Sequence, residues 1–246
     1  RFNGANLKEA KLIESNLAKA NLKEADLTGA ELTEVDLSEA NLSGANLENF
    51  IFQNTIFTGA MFSPKTIFPE SFDPSSEGML LIGPGVDLTG IDLSQVDLSG
   101  ADLQGANLTN ANLTNTILTD ALLSEANLTD ATLSQANLTG ARLRKANLSG
   151  VELTDANLSQ ANLNEAILSS ATLVRVNLRD AKLDQADLTN ANLSNAFYND
   201  TTIFPNGFDP QNESMIQIKP GVNLTGQDLS NANLSGLDLS GVILTN

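Results

Sequence analysis

The 246-residue sequence predicts an all-β solenoid of short strands joined by corners, and three observations predict it. A large apolar residue recurs at every fifth position, a small residue lies two places before it, and the phase slips at two related interruptions. The first series runs Phe2, Leu7, Leu12, Leu17 and on to Leu47, followed by Phe52, Phe57, Phe62 and Ile67. After the first slip every fifth residue from Leu88 to Leu193 is Leu, with Tyr198 and Ile203 next. A third series resumes at Leu224, Leu229, Leu234, Leu239 and Leu244.

The unit reads Ala-(Asn/Asp)-Leu-(Ser/Thr)-X. A spacing of two puts Ala and Leu on one face of an extended segment, because side chains alternate across a strand. The next two residues are polar and free to turn. A helix is excluded, since apolar residues five apart would rotate by about 140° per step and form no stripe. Abundant Asn, Asp, Ser, Thr and Gly favour turns in any case. One five-residue side cannot bury its apolar face alone, so the sides must wind into coils and the coils must stack. Ile67 to Leu88 and Ile203 to Leu224 each span 21 residues, four pentads plus one, which suggests four sides to a coil. Arithmetic alone leaves three or five sides open.

Runs such as ANLTNANLTNTILTDALLSEANLTDATLSQANLTGARLRKANLSG resemble the pentapeptide-repeat proteins, whose pattern is A(D/N)LXX, and the resemblance covers nearly the whole chain. It implies a right-handed quadrilateral β-helix with about 20 residues per coil, with Leu or Phe and the preceding Ala pointing inward. The expected organisation is a single solenoid over 1–246, with non-repeat excursions at 68–85 and 204–221. Stacking at the strand spacing would give roughly twelve coils over about 60 Å. Inward Ala is replaced by larger apolar residues at Val35, Phe50, Val86, Ile91, Val96, Val151, Val176 and Leu237, and by polar Gln227.

The two interruptions are copies of one another. Thr66–Gly90 and Thr202–Gly226 align without a gap and share 16 of 25 residues. Asp73-Pro74 and Asp209-Pro210 read as helix starts, Asp as N-cap and Pro at the first helical position, opening a helix of one or two turns. Pro84-Gly85 and Pro220-Gly221 suit type II turns that return the chain to the coil. Nine of the ten Phe lie in or just before these segments, together with Tyr198, as expected of aromatics that pin each excursion against a coil. Asp73 and Glu77 offer a cation two carboxylates, but capping accounts better for Asp73.

Composition narrows the function. With no Cys and no His, thiol nucleophiles, imidazole bases and the usual zinc ligand sets are absent. No pair of carboxylates has a reason for a shifted pKa in a recognisable pocket, so no catalytic residue, cofactor or metal site is expected. The Asn-Leu-Ser/Thr triplets match a glycosylation acceptor only because the repeat generates them. Thirteen Lys and Arg against thirty Asp and Glu, a net charge of −17, argue against direct binding to nucleic acid or anionic membrane. No targeting or membrane-spanning segment lies in this span, which favours the cytoplasm slightly.

Charge is uneven along the chain. Ten acids and no cation lie between Thr66 and Ala141, whereas 142–190 is balanced. On a four-sided coil Asp87, Asp92, Asp97 and Asp102 fall one per face, forming an acidic ring that is a candidate partner surface. Some pentapeptide-repeat proteins protect DNA gyrase by imitating the charge of a DNA duplex. DNA carries one charge per about 1.7 Å, and the seven acids of 86–141 fall within about 13 Å of stacked coils. The expected function is a non-catalytic scaffold whose flat faces bind a protein partner, with DNA mimicry toward gyrase or another DNA-binding protein as the alternative. A carbohydrate- or cation-binding surface is a third reading. Repeats that run to both ends of the sequence suggest a piece of a longer chain or end-to-end self-association.

Overall fold

The computed structural model describes residues 2–225 and 240–244. The departures at Gln227 and Leu237 and the repeat positions Leu229, Leu234 and Leu239 lie outside the described residues. The chain divides into two compact units, Arg1–Gly83 and Pro84–Asn246, where the sequence reading drew one solenoid. Each unit is built from parallel β-bridges between a residue and the one 20 places on.

In unit 1 the columns are Asn6–Asp26–Asn46, Lys11–Glu31–Ile51, Asn16–Asp36–Ile56 and Asn21–Asn41–Met61. In unit 2 the same step runs from Asp87↔Asn107 to Asn177↔Phe197. Twenty residues are four pentads, and among the described residues the regular bridges keep that step rather than one of three or five pentads. Most sides contribute one bridging residue rather than a ladder, because the corner follows at once. The only two-residue strands among the described residues are β1 (Met61–Phe62), β2 (Leu80–Leu81), β3 (Phe197–Tyr198) and β4 (Ile216–Gln217). They pair in parallel, β1 with β2 and β3 with β4.

The pentad Asn127–Ala131 shows why the unit has five residues. The N–H of Asn127 donates to the Ala106 carbonyl one coil back at 2.9 Å, and that of Leu128 to the Asn147 carbonyl one coil on at 2.7 Å. The N–H of Thr129 donates to the Oδ1 of Asn127 at 3.2 Å. Asp130 donates to the Ser149 carbonyl at 3.0 Å, and Ala131 closes the corner on the Leu128 carbonyl at 3.0 Å. All five main-chain donors are satisfied, three by carbonyls of the coils before and after, one across the turn and one by a side chain. Asn or Asp therefore stands before Leu because the following turn needs an acceptor two residues back.

The regular corners bend through a residue with positive φ immediately before the inward small residue. Non-glycine residues fill many of these places, including Glu125 at 62°, Asp130 at 55° and Lys145 at 61°. With positive φ only at its third residue and the 3.0 Å bond from Ala131 back to Leu128, the corner is a type II turn. A left-handed residue costs about 1–2 kcal/mol, which the stacked backbone hydrogen bonds offset at every coil.

Apolar burial follows the sequence reading for the Leu series. Ile67 and Ile203, read as continuing it, instead take outward bridging places and are 50% and 46% exposed, because the enlarged corner before each puts Thr66 and Thr202 in the inward place. Phe2 and Phe52 are also 40% and 41% exposed. From Leu88 to Leu183 every fifth Leu is at most 1% exposed, and Leu22 to Leu47 likewise. Val35, Val151 and Val176 are accommodated with no exposure and Phe50 is buried, whereas Val86, Ile91 and Val96, in the first coil of unit 2, are half-buried. Three polar residues in inward places of the regular series, Ser15, Thr55 and Thr116, were not anticipated. Thr116 is fully buried and its hydroxyl donates to the Leu93 carbonyl at 2.8 Å; Thr55 does the same to Leu32 at 2.6 Å.

The duplicated interruptions share one construction. An extra residue enters the corner Ser63–Thr66, lengthening the step Asn46↔Ile67 to 21, and the corner Asn199–Thr202 does the same for Lys182↔Ile203. Thr66 takes the inward place and its hydroxyl reaches the Leu42 carbonyl at 3.0 Å; Thr202 reaches Leu178 at 2.9 Å. Leu80 then bridges Met61 and Ile216 bridges Phe197, each 19 residues on. The chain thus rejoins the ladder at Leu80 and Ile216, earlier than the ends of the expected excursions 68–85 and 204–221, because Ile82 and Ile218 already bury as inward residues.

Aromatic packing holds both excursions. Phe68 meets Phe62 edge-on at 5.7 Å and stacks on Phe72 at 4.9 Å; Phe204 meets Tyr198 at 5.6 Å and stacks on Phe208 at 5.0 Å. Unit 1 extends the cluster with Phe50, Phe52 and Phe57 around Phe72. The expected helix forms in the second copy as one 3-10 turn, Pro210–Glu213, capped by Asp209 accepting from the Gln211 N–H. In the first copy it does not form. Asp73 caps the Ser75 N–H at 3.0 Å, but Gly78 and Met79 bond back to Ser75 and Pro74, so 74–78 is a run of turns. The return turn is as expected, with Gly85 at φ 64° and Gly221 at φ 72°, and Val222 donates to the Lys219 carbonyl at 3.2 Å.

The pentad at 127–131 separates the two stabilising terms. Leu128→Ala is expected to cost about 2–5 kcal/mol by cavity formation. Asn127→Ala removes one acceptor and costs about 0.5–1.5 kcal/mol, while Asn127→Asp retains it and stays close to wild type. Urea unfolding of the three variants checks the order.

Candidate interaction surface

The bridging residues of unit 2 stand in four columns, one for each side. The first holds Asp87, Asn107, Asn127, Asn147, Ile167 and Asp187; the second Asp92, Asn112, Thr132, Glu152, Thr172 and Asn192. The third holds Asp97, Ile117, Asn137, Asn157, Asn177 and Phe197, and the fourth Asp102, Leu122, Arg142, Asn162, Lys182 and Ile203. The four aspartates of the expected acidic ring head the four columns, so their carboxylates stand on four different sides and do not converge.

Each of them is also occupied locally. Asp87 accepts from the N–H and hydroxyl of Thr89 at 3.1 and 2.6 Å, and from the Asn107 amide at 3.2 Å. Asp92 accepts from the Ser94 N–H at 2.9 Å and from Asn112 at 3.0 Å. Asp97 accepts from the N–H and hydroxyl of Ser99, and Asp102 from the N–H and side-chain amide of Gln104. The ring is therefore first a set of turn acceptors that also carries negative charge outward. The Thr89 hydroxyl and then its N–H hold the Asp87 carboxyl below its ordinary value against the opposing effect of desolvation, with a lesser contribution from the Asn107 amide.

Amide ladders run up two columns. On the first, Asn107 donates to the Thr89 hydroxyl at 2.8 Å and Asn127 to that of Thr109 at 2.9 Å. On the third, Asn157 donates to the Thr139 hydroxyl at 2.9 Å and Asn177 to the Asn157 carbonyl oxygen at 3.0 Å. The second column is clasped at its corner by Arg175 and Asp155, which form two parallel hydrogen bonds of 2.6 and 2.8 Å. The fourth differs in carrying Arg142 and Lys182. Counting charges along 142–190 hid this, because the positions belong together only when read 20 apart.

Asp73 and Glu77 gain no third ligand: no cluster of three His, Cys, Asp or Glu that could hold a metal occurs among the described residues. No helix among them is long and apolar enough to cross a membrane.

The family model for pentapeptide repeats matches in eight copies, over residues 1–38, 36–63, 85–120, 121–160, 156–195 and 220–246. No curated protein matches. Among solved structures, the chain is similar to HetL, a pentapeptide-repeat protein involved in heterocyst differentiation regulation in the cyanobacterium Nostoc sp. strain PCC 7120. The identity is 30% over 82% of this chain and 93% of HetL, with a TM-score of 0.39. It is similar to Rfr23 from the cyanobacterium Cyanothece 51142 at 30% identity over 49% of this chain and 89% of that one, TM-score 0.33. QnrB1, a plasmid-mediated fluoroquinolone resistance protein, is 17% identical over 100% and 91% of the two chains, TM-score 0.32.

Turn aspartates make stability depend on acid. In Asp26, Asp36, Asp87 and Asp187 a hydroxyl two residues on, from Thr28, Ser38, Thr89 and Thr189, is the main cause of a pKa below 3.8, with the same residue's N–H next. A depressed carboxyl contributes stability that is complete above 3.8 and lost as pH falls through the depressed values. Unfolding midpoints in urea are expected to hold from about pH 7 to about pH 5 and then to fall, and Asp87→Asn, which keeps the acceptor, is expected to flatten that fall.

Proposed function

Because the chain belongs to the pentapeptide-repeat family, we propose that it is a right-handed quadrilateral β-helix acting as a non-catalytic scaffold whose flat faces bind a protein partner. The observation that carries this reading is the division of labour within the pentad. Leu and Ala fill the interior with almost no exposure, and the backbone donors are satisfied by neighbouring coils and turn side chains. What remains for outside contacts is a set of columns whose residues differ from one side to the next. Such a surface recognises by a two-dimensional arrangement of charges and amides on a rigid base, the kind of site that suits a protein surface or segment.

A second reading, DNA mimicry toward gyrase or another DNA-binding protein, is favoured by the cation-free stretch between Thr66 and Ala141. The placement of Asp87, Asp92, Asp97 and Asp102 on four different sides spreads that charge rather than gathering it into two strands, which favours the scaffold reading.

Blocking one side at a time tests the scaffold. Asn127→Trp, Thr132→Trp, Asn137→Trp and Asn162→Trp each place a bulky group on one column of unit 2. With the purified chain as bait in a lysate of its source, a partner held by one face is expected to be lost with one variant and retained by the other three. Equal retention by all four variants, or no specific partner, would count against the scaffold. Protection or inhibition of gyrase supercoiling by micromolar chain would favour mimicry instead.

A further inference from the structure

The fourth column of unit 2 is the one column there, among the described residues, that carries cations. Arg142 and Lys182 are exposed and stand two rungs apart, with Asn162 between them. Neither side chain has a hydrogen-bonding or ion-pairing partner among the described residues. On the same side, Arg144 donates through Nε to Oε1 of Glu165 at 3.0 Å and Lys145 lies 3.6 Å from its Oε2. One carboxylate is thus shared by two cations, and the coil at 142–145 keeps excess positive charge. Asp184, beside Lys182, accepts from the Gln185 amide at 3.1 Å.

In a chain of net charge −17 such a strip is set against its surroundings. Charges are screened beyond about 8 Å at physiological ionic strength, so an anionic segment lying on the column responds to Arg142, Lys182 and the Arg144–Lys145 pair, with Glu165 and Asp184 offsetting part of that positive charge. Two rungs span about 9.6 Å at the strand spacing. A polyproline II segment brings every third residue to the same side after about 9.3 Å. An extended β segment does not match, since residues three apart point to opposite faces.

We infer that the Arg142–Asn162–Lys182 column is a docking strip for a polyproline II segment of a partner protein, with carboxylates three residues apart meeting the Arg142 guanidinium and the Lys182 ammonium. Asn162, between the two cations, lies level with the intervening peptide groups. The inference rests on the scaffold reading and names the chemistry of its partner.

The probe is a fluorescent (Glu-Pro-Pro)3 peptide followed by anisotropy with the whole chain. A control peptide of the same composition has its three Glu adjacent, and a short DNA duplex serves as the nucleic-acid control. The spaced peptide is expected to bind at about 0.15 M salt and to be released at about 1 M. It should bind at least about tenfold more tightly than the clustered peptide, the factor set by about 1.4 kcal/mol. Arg142→Asn with Lys182→Thr, which introduces residues found at equivalent column places, is expected to abolish binding without lowering the urea midpoint. Lys11→Asn in unit 1 is expected to leave binding intact. No binding of the spaced peptide, equal binding of the clustered peptide or the duplex, or binding unaffected by the double variant would overturn the inference. If a partner is captured and the Trp variants assign it to another column, the docking strip is refuted while the scaffold reading stands. If no partner is captured and the peptide does not bind, both fail.

Discussion

The rest of this structure depends on the backbone hydrogen bonds between residues one coil apart. Within a pentad such as Asn127–Ala131, donors from Asn127, Leu128 and Asp130 go to the coils on either side, while Ala131 and Thr129 are satisfied within the turn. A side of another length moves the next bridging residue off the step of 20, as the enlarged corners Ser63–Thr66 and Asn199–Thr202 do, where the steps become 21 and then 19. The five-residue period is therefore as much a consequence of donor and acceptor placement as of apolar burial. It also explains why the corners tolerate left-handed Glu, Lys and Arg. The strain recurs at each corner, and so do the bonds that hold it.

That division leaves the outside chemically free. Leu and Ala pack the interior, Asn or Asp closes the turn, and the column residue can become Ile117, Leu122, Arg142 or Glu152 without loss of the bridge. Glu152 even preserves the turn acceptor, taking the Thr154 N–H at 2.8 Å through its longer side chain. The two interruptions use the same freedom in another way. A residue is added at Ser63–Thr66 and at Asn199–Thr202, the inward Thr hydroxyl anchors each enlarged corner, and an aromatic triad packs the outlying loop. That both copies reproduce the register steps of 21 and 19 indicates one structural solution used twice.

Much of this was legible in the residues. The inward Leu positions, the paired return turns at Pro84-Gly85 and Pro220-Gly221, the Asp209 cap and the aromatic pinning all follow from local chemistry that a pattern exposes. The buried Thr116 and Thr55 were not legible, because their hydroxyls bond to carbonyls 23 residues earlier in the chain. Nor was the failure of the helix after Asp73. It has the same Asp-Pro start as Asp209, but in its sequence Ser75, Ser76 and Gly78 replace Gln211, Asn212 and Ser214, and those residues bond into turns.

By itself the sequence determined the period, the inward Leu residues and the positions of both interruptions, because each depends on residue types at short, regular spacing. Only the tertiary structure decided how many sides make a coil, where each excursion rejoins the ladder and which outward residues share a column. Those depend on pairing between residues about 20 apart, and a repeat that looks alike at every pentad contains no local mark of its partner. The acidic ring and the cationic strip show the result. Asp87, Asp92, Asp97 and Asp102 are neighbours in sequence but stand on four different sides, whereas Arg142 and Lys182, far apart in sequence, share one.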